Sequence, residues 1–279
     1  MKHVWLASYP KSGNTWFRLL LANLHAGQKA PVHINDPPND NFDIASSRVL
    51  FETATMLDSG LLSHDEVDAL RPGIFETNFA ESSRARWVKV HDAYTAILQG
   101  RPLSGRPEQC VAIYLVRDPR DVAVSLASHL ELSLDHAIAR LNSPAAALCD
   151  GHVGMAVQLR QKLLDWSGHV TSWLDQTDVP VHVLRYEDLL ARTQENFAAA
   201  LEFAGACRSK DDIARAVRHC DFRRLQRQEC ESGFVERWSH SAQFFRSGRV
   251  GGWRASLSAS QAQAIDSCHA EVMERLGYV

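Results

Sequence analysis

The chain has 279 residues, 45% hydrophobic and 23% charged, with a formal net charge of −3. That is enough apolar material for a sizeable core in one large α/β domain or two small ones, and it excludes a disordered chain. It also argues against a broad basic surface for nucleic acid or an anionic membrane, so any anion site must be local.

The six cysteines are scattered with no CxxC pair, which reads as free thiols in a reducing compartment. The apolar stretch before Pro10 is too short for a secretory signal, and no apolar run approaches the ~18 residues of a membrane span. A cytoplasmic location is expected.

In chain order, Val4 to Ala7 predicts a buried strand, Tyr9 to Asn14 a turn, and Thr15 to Leu24 a helix. Residues 28–47, rich in Pro, Asn and Asp, predict a loop. From 49 to 82 weak helical signals meet a Pro72-Gly73 break, and Trp87 to Val90 predicts a second strand. Val111 to Val116 is the clearest strand, ending at Arg117-Asp118, with Pro119 suited to the first turn of a helix reaching His129. The apolar spacing of Leu163, Leu164, Trp166, Val170 and Trp173 predicts a long helix over 155–176. Val181 to Leu184 predicts another strand, with helix from Glu187 onward. Alternating strands and helices imply a single α/β domain over residues 1–279, its central, mainly parallel sheet flanked by helices on both faces.

Three segments point to anion chemistry. In Tyr9-Pro10-Lys11-Ser12-Gly13-Asn14-Thr15-Trp16 a helix N-terminus offers unpaired N–H groups and partial positive charge. Gly13 lets the backbone curl close to a ligand, Ser12, Asn14 and Thr15 add short polar groups, and Lys11 adds a full charge. An ordinary capped turn is the alternative. The loop is not a Walker A, because Lys11 precedes Gly13. In the second segment Arg117 lies at a strand's C-terminal end, where open α/β sheets bind ligands, and Ser125 lies about two turns into the next helix. An Arg117–Asp118 ion pair is the structural alternative. In the third segment, Phe244 to Arg254, three glycines and three arginines form a permissive basic loop in which Arg246 could wrap an anion or be solvated.

Together and in this order these segments resemble the sulfotransferase family that uses 3′-phosphoadenosine 5′-phosphosulfate (PAPS), along nearly the whole chain. Tyr9 to Trp16 is similar to the family's P-loop-like 5′-phosphosulfate loop, and Tyr114 to Ser125 to its 3′-phosphate strand and helix. Arg246 to Trp253 is similar to its C-terminal Arg-Lys-Gly-x-x-Gly-Asp-Trp motif, and Arg185 to Leu189 resembles a fourth piece. The resemblance implies that Lys11 contacts the oxygen bridging phosphate and sulfate while Ser12, Gly13, Asn14, Thr15 and Trp16 hold the 5′-phosphate, Trp16 reaching the adenine. It assigns Arg117, Ser125, Arg246, Ser247 and Gly248 to the 3′-phosphate site, and Tyr186 and Phe222 to the adenine. The family's general base is a His two residues after a Lys, which Lys89-Val90-His91 matches, Lys89 neutralising the sulfuryl oxygens. By itself, His91 is one of 13 histidines; its type suits proton transfer near pH 7.

Departures accompany the match. Ser247 stands for a Lys, with Arg249 a candidate replacement; Gly252 stands for the Asp before Trp253; Asp221 stands for a common Ser and should point away from the phosphate. The family's C-terminal dimerisation motif is not evident, so a family-style dimer is not implied.

The implied reaction moves a sulfuryl group from PAPS to a small-molecule acceptor hydroxyl, releasing PAP, with no metal ligand set in the sequence and no nucleic-acid or membrane partner. The acceptor pocket is expected from residues 28–82, 130–155 and 230–245, with Phe42, Phe51, Phe75, Phe79, Trp238 and Phe244 as candidates. Two alternatives stand beside this reading: a P-loop kinase, which would want a Walker A and a magnesium carboxylate such as Asp118, and a PAP-binding protein without catalysis.

Overall fold

The computed structural model describes residues 2–36, 42–82, 85–96, 100, 102–151, 157–237 and 243–279. The chain divides into two compact units, each discontinuous in sequence. The first comprises residues 1–9, 41–114 and 143–183, and the second residues 10–40, 115–142 and 184–279.

The first unit carries the body of a five-stranded sheet in the order β2-β3-β1-β4-β7. These are β1 (His3–Ser8), β2 (Phe42–Ile44), β3 (Trp87–Val90), β4 (Cys110–Val116) and β7 (Val181–Arg185). β1 and β2 run parallel to β3, with Val4 and Phe42 both paired to Trp87. Every residue of β1 and β4 is buried, as parallel strands covered on both faces require. Helices α2 (Arg48–Thr55), α3 (His64–Glu81) and α6 (Trp166–Leu174) and the antiparallel pair β5 (Ala147–Leu148) and β6 (Gln161–Lys162) complete this unit. Its core includes Trp5 edge-on to Phe75 (4.8 Å) and a cluster of Phe51, Val67, Ile74 and Leu159.

The second unit is helical: α1 (Asn14–Ala26), α4 (Pro119–Leu130), α5 (Leu134–Leu141), α7 (Tyr186–Ala191), α8 (Thr193–Phe203), α9 (Lys210–His219), α10 (Phe222–Ser232) and α11 (Ala259–Arg275). Side-chain caps start many helices, as at Asp118, Ser133, Ser209 and Asp221, and Ser258 with Gln261 forms a capping box. No helix among the described residues is long and apolar enough to cross a membrane.

The strand–turn–helix start, β3, β4 and the Pro119 helix fall where the sequence predicts them. Three readings are corrected. The long helix over 155–176 is the nine-residue α6: Leu164 has φ 60°, which no helix accepts, and the Asp165 carboxylate caps the new start at Gly168 N. Pro72-Gly73 does not break α3, whose buried Val67, Arg71, Ile74 and Phe75 hold both sides of the proline in place. The loop over 28–47 contains β2, which its pairing with β3 creates.

Candidate functional site

The second unit gathers all three anion segments. Between β1 and α1, Lys11 (φ 70°) and Gly13 (φ 102°) turn the chain so that Gly13 is the N-cap of α1. A Cβ on Gly13 would lie 2.8 Å from the Tyr186 ring, so only glycine permits this approach. The Ser12 hydroxyl is buried with no hydrogen-bond partner among the described residues. An unsatisfied buried hydroxyl is costly, and at a helix N-terminus it is suited to an anionic oxygen.

Arg117 joins the segments. Its guanidinium lies over the Tyr186 ring at 4.5 Å, and donates to the carbonyl oxygens of Lys11 (3.2 Å) and Arg249 (3.2 Å). The expected alternative partner, Asp118, is instead bidentate to Arg120 and caps α4 at Arg120 N (2.9 Å). A magnesium-dependent kinase would want that carboxylate open. Ser125 lies half-buried on α4. Burial raises the Tyr186 phenol, which the Arg117 charge partly opposes.

In the C-terminal loop Gly248 (φ 57°) lies under Phe222, whose ring a Cβ would meet at 2.6 Å. Arg246 and Ser247 are exposed beside it. Trp16 donates its indole N–H to the Cys220 carbonyl (3.2 Å) and meets the Tyr186 ring edge-on at 6.0 Å. Asp221 caps α10 at Arg223 N (3.0 Å), so the carboxylate that stands for a Ser is engaged away from the loop. The Lys11 ammonium rests over the Phe244 ring at 4.0 Å.

The acid absent where Gly252 stands is supplied by a residue that sequence reasoning missed. Asp121 on α4 accepts from Gly251 N (2.7 Å) and Trp253 N (2.9 Å), fixing the loop without an acid of its own. Trp253 packs between Arg120 (4.2 Å) and Arg254 (4.6 Å). Glu229, also missed, accepts from Phe244 N and Phe245 N (2.6 and 2.9 Å).

In the first unit, Lys89 is half-buried on β3 and His91 follows the strand end, two residues on. His91 Nδ1 lies 2.8 Å from the Ser8 carbonyl oxygen and 3.1 Å from Ser8 Oγ. A carbonyl only accepts, so Nδ1 carries the proton and the neutral ring's lone pair is on Nε2, the nitrogen a general base uses. Of the acceptor-pocket candidates, Phe51, Phe75 and Phe79 are core residues, and Trp238 lies outside the described residues.

Comparison with known proteins places the chain in a family. The family model described as a sulfotransferase domain matches residues 1–277. Among curated relatives, Sulfotransferase 1A1 of Rattus norvegicus is 23% identical over 280 residues (96% of this chain, 83% of that protein). Cytosolic sulfotransferase 12 of Arabidopsis thaliana is 25% identical over 270 residues (94% and 74%). Among solved structures, a mouse sulfotransferase complexed with PAP superposes with a TM-score of 0.61 at 19% identity (98% of this chain, 84% of that one). Retinol dehydratase in complex with androsterone and the inactive cofactor PAP gives 0.62 at 18% identity (98% and 81%). The chain belongs to the sulfotransferase domain family.

Proposed function

We propose that this sulfotransferase transfers a sulfuryl group from PAPS to a hydroxyl of a small-molecule acceptor, with His91 as general base, and that residues 1–279 work as one catalytic domain. The observation that carries the donor assignment is Arg117: stacked on Tyr186 and bonded to the carbonyls of Lys11 and Arg249, it ties three sequence-distant anion segments into one site. The Ser12 hydroxyl, without a partner among the described residues, and the ring-pressed Gly13 and Gly248 fit a phosphate cradle.

In this reading Ser12 to Trp16 hold the 5′-phosphate, and Arg117, Ser125, Arg246, Ser247 and Gly248 the 3′-phosphate. Trp16, Tyr186 and Phe222 take the adenine. His91 Nε2 accepts the acceptor's hydroxyl proton as its oxygen bonds to sulfur. The bond from sulfur to the phosphate oxygen breaks, and PAP leaves with the negative charge. Lys11 leaves the Phe244 ring to stabilise that charge with the loop amides, and Lys89 neutralises the sulfuryl oxygens. Fixed donors aimed at developing charge are usually the largest catalytic contribution.

Retinol dehydratase holds androsterone in one solved complex and retinol in another, which supports a small hydroxyl-bearing acceptor over a macromolecule. The six free thiols and the relatives named cytosolic support a cytoplasmic location. Calorimetric titration of PAP with and without magnesium tests the donor site, followed by turnover of PAPS against a panel of phenols and alcohols. Tight, magnesium-independent binding and transfer are expected. Binding of ATP with magnesium and not of PAP would sink the reading, and PAP binding without transfer to any acceptor would favour a non-catalytic binder.

A further inference from the structure

The chain from His91 to Tyr94 is tied down residue by residue, all within the first unit. The Asp92 carboxylate is bidentate to Arg71 (2.9 and 2.8 Å), a guanidinium only 1% exposed. The Asp92 carbonyl accepts from the Trp173 indole (3.0 Å), Ala93 N donates to the Lys162 carbonyl (2.7 Å), and Tyr94 N donates to Ser172 Oγ (2.9 Å). The His91 carbonyl lies 3.0 Å from Nε2 of His169, on α6 and fully buried.

His169 admits one tautomer. Because the His91 carbonyl can only accept, His169 Nε2 carries the proton. Nδ1 of the neutral ring must then accept, and the Tyr114 hydroxyl, 2.7 Å away, donates to it. Burial lowers the His169 pKa to about 4, so the ring is neutral near pH 7. The chain Tyr114 Oη–H to His169, then His169 Nε2–H to the His91 carbonyl, therefore has a fixed direction. It ends on the peptide unit that bears the His91 ring, whose other tether is Nδ1–H to the Ser8 carbonyl.

We propose that His169, oriented by Tyr114, is a positioning residue for His91: its N–H fixes the backbone from which the base presents Nε2 to the acceptor. The proposal rests on the reading of His91 as the base. Misplacing a catalytic group by about 1 Å can cost about 10²-fold in rate, which sets the scale.

The test compares His169→Leu, His169→Gln and Tyr114→Phe for kcat, KM for PAPS, PAP affinity and thermal stability. His169→Leu removes the donor and should lower kcat about 10- to 100-fold with PAP affinity unchanged. His169→Gln, whose amide can place an N–H at the same carbonyl, should recover most of that loss. Tyr114→Phe should fall between, its His169 free to adopt the other tautomer. Wild-type kcat in a folded, PAP-binding His169→Leu protein overturns the proposal. So does a Gln variant no better than Leu. Should His169→Leu not fold, wild-type kcat in Tyr114→Phe overturns it instead. Failure of the underlying reading is separate: His91→Ala would turn over normally, or the wild type would not bind PAP.

Discussion

The two units solve different problems with different contacts. Around His91 in the first, four consecutive residues are tethered by donors and acceptors from α3, β6 and α6. In the second, the anion segments are held by rings against glycines and by Arg117 on backbone carbonyls, while Arg246 and Arg249 are exposed. His91 is thus held by the protein's own contacts, whereas in the proposed reading Arg117 exchanges its bonds to backbone carbonyls for phosphate oxygens. The difference predicts that lesions in the first unit strike turnover and lesions in the second strike PAP affinity.

The sharpest way to break this division is His91→Ala. A positioned general base typically contributes roughly 10²–10⁴-fold, so kcat should fall by that factor while calorimetric PAP affinity stays within about twofold. A fall in PAP affinity as large as the fall in kcat would erase the distinction between the units.

The buried network also predicts a pH signature. His169 is held neutral in the folded state with a pKa lowered to about 4, against roughly 6.5 unfolded. Below about pH 6.5 the unfolded chain binds a proton that the folded chain refuses, so stability is lost as pH falls from there towards about 4. The loss should reach about 2 kcal/mol by pH 5 and about 3 kcal/mol only below the folded pKa. Denaturant melts at pH 7.5 and pH 5 would measure it, and His169→Gln should flatten the dependence. An equal slope in wild type and variant would assign the acid sensitivity elsewhere.

In the second unit, Arg117→Ala should weaken PAP by about 1.5–3 kcal/mol, the worth of hydrogen bonds to a charged group, or roughly 10- to 100-fold in Kd. Its effect on kcat at saturating PAPS should be smaller. Arg117→Lys keeps the charge but loses the planar fork, and should recover only part. Unchanged PAP affinity in Arg117→Ala would detach the central residue from the site.

What the sequence carried and what it hid follow the same division. The loop from Tyr9 to Trp16, the strand ending at Arg117 and the basic C-terminal loop are each contiguous, so the proposed backbone-led anion site is legible in short stretches of Gly, Lys, Arg and Ser. The network around His91 is written nowhere locally: Arg71 is 21 residues from Asp92, and His169 is 78 from His91 and 55 from Tyr114. The same tertiary logic defeated the helix reading over 155–176. Apolar spacing continued through Leu163 and Leu164, but those residues belong to a turn fixed by backbone bonds to the Ala146 carbonyl. β2, only three residues long, likewise depends on β3 for its existence.

Asp121 offers the finest probe, because its carboxylate holds the turn that follows Arg246 and Gly248. It is 3% exposed and accepts from both Gly251 N and Trp253 N. Asp121→Asn keeps the shape but turns one acceptor into a donor facing an N–H, at a cost of about 1 kcal/mol from the range for an unsatisfied buried group. The loop's 3₁₀ turn over Gly252–Ala255 should loosen, and Arg246 and Gly248 with it. PAP affinity should drop several-fold and kcat at saturating PAPS little, with faster hydrogen exchange at the Gly251 and Trp253 amides. Faster exchange with unchanged PAP affinity would mean that the loop's order is irrelevant to the anion, and that the arginines bind PAP from a flexible backbone.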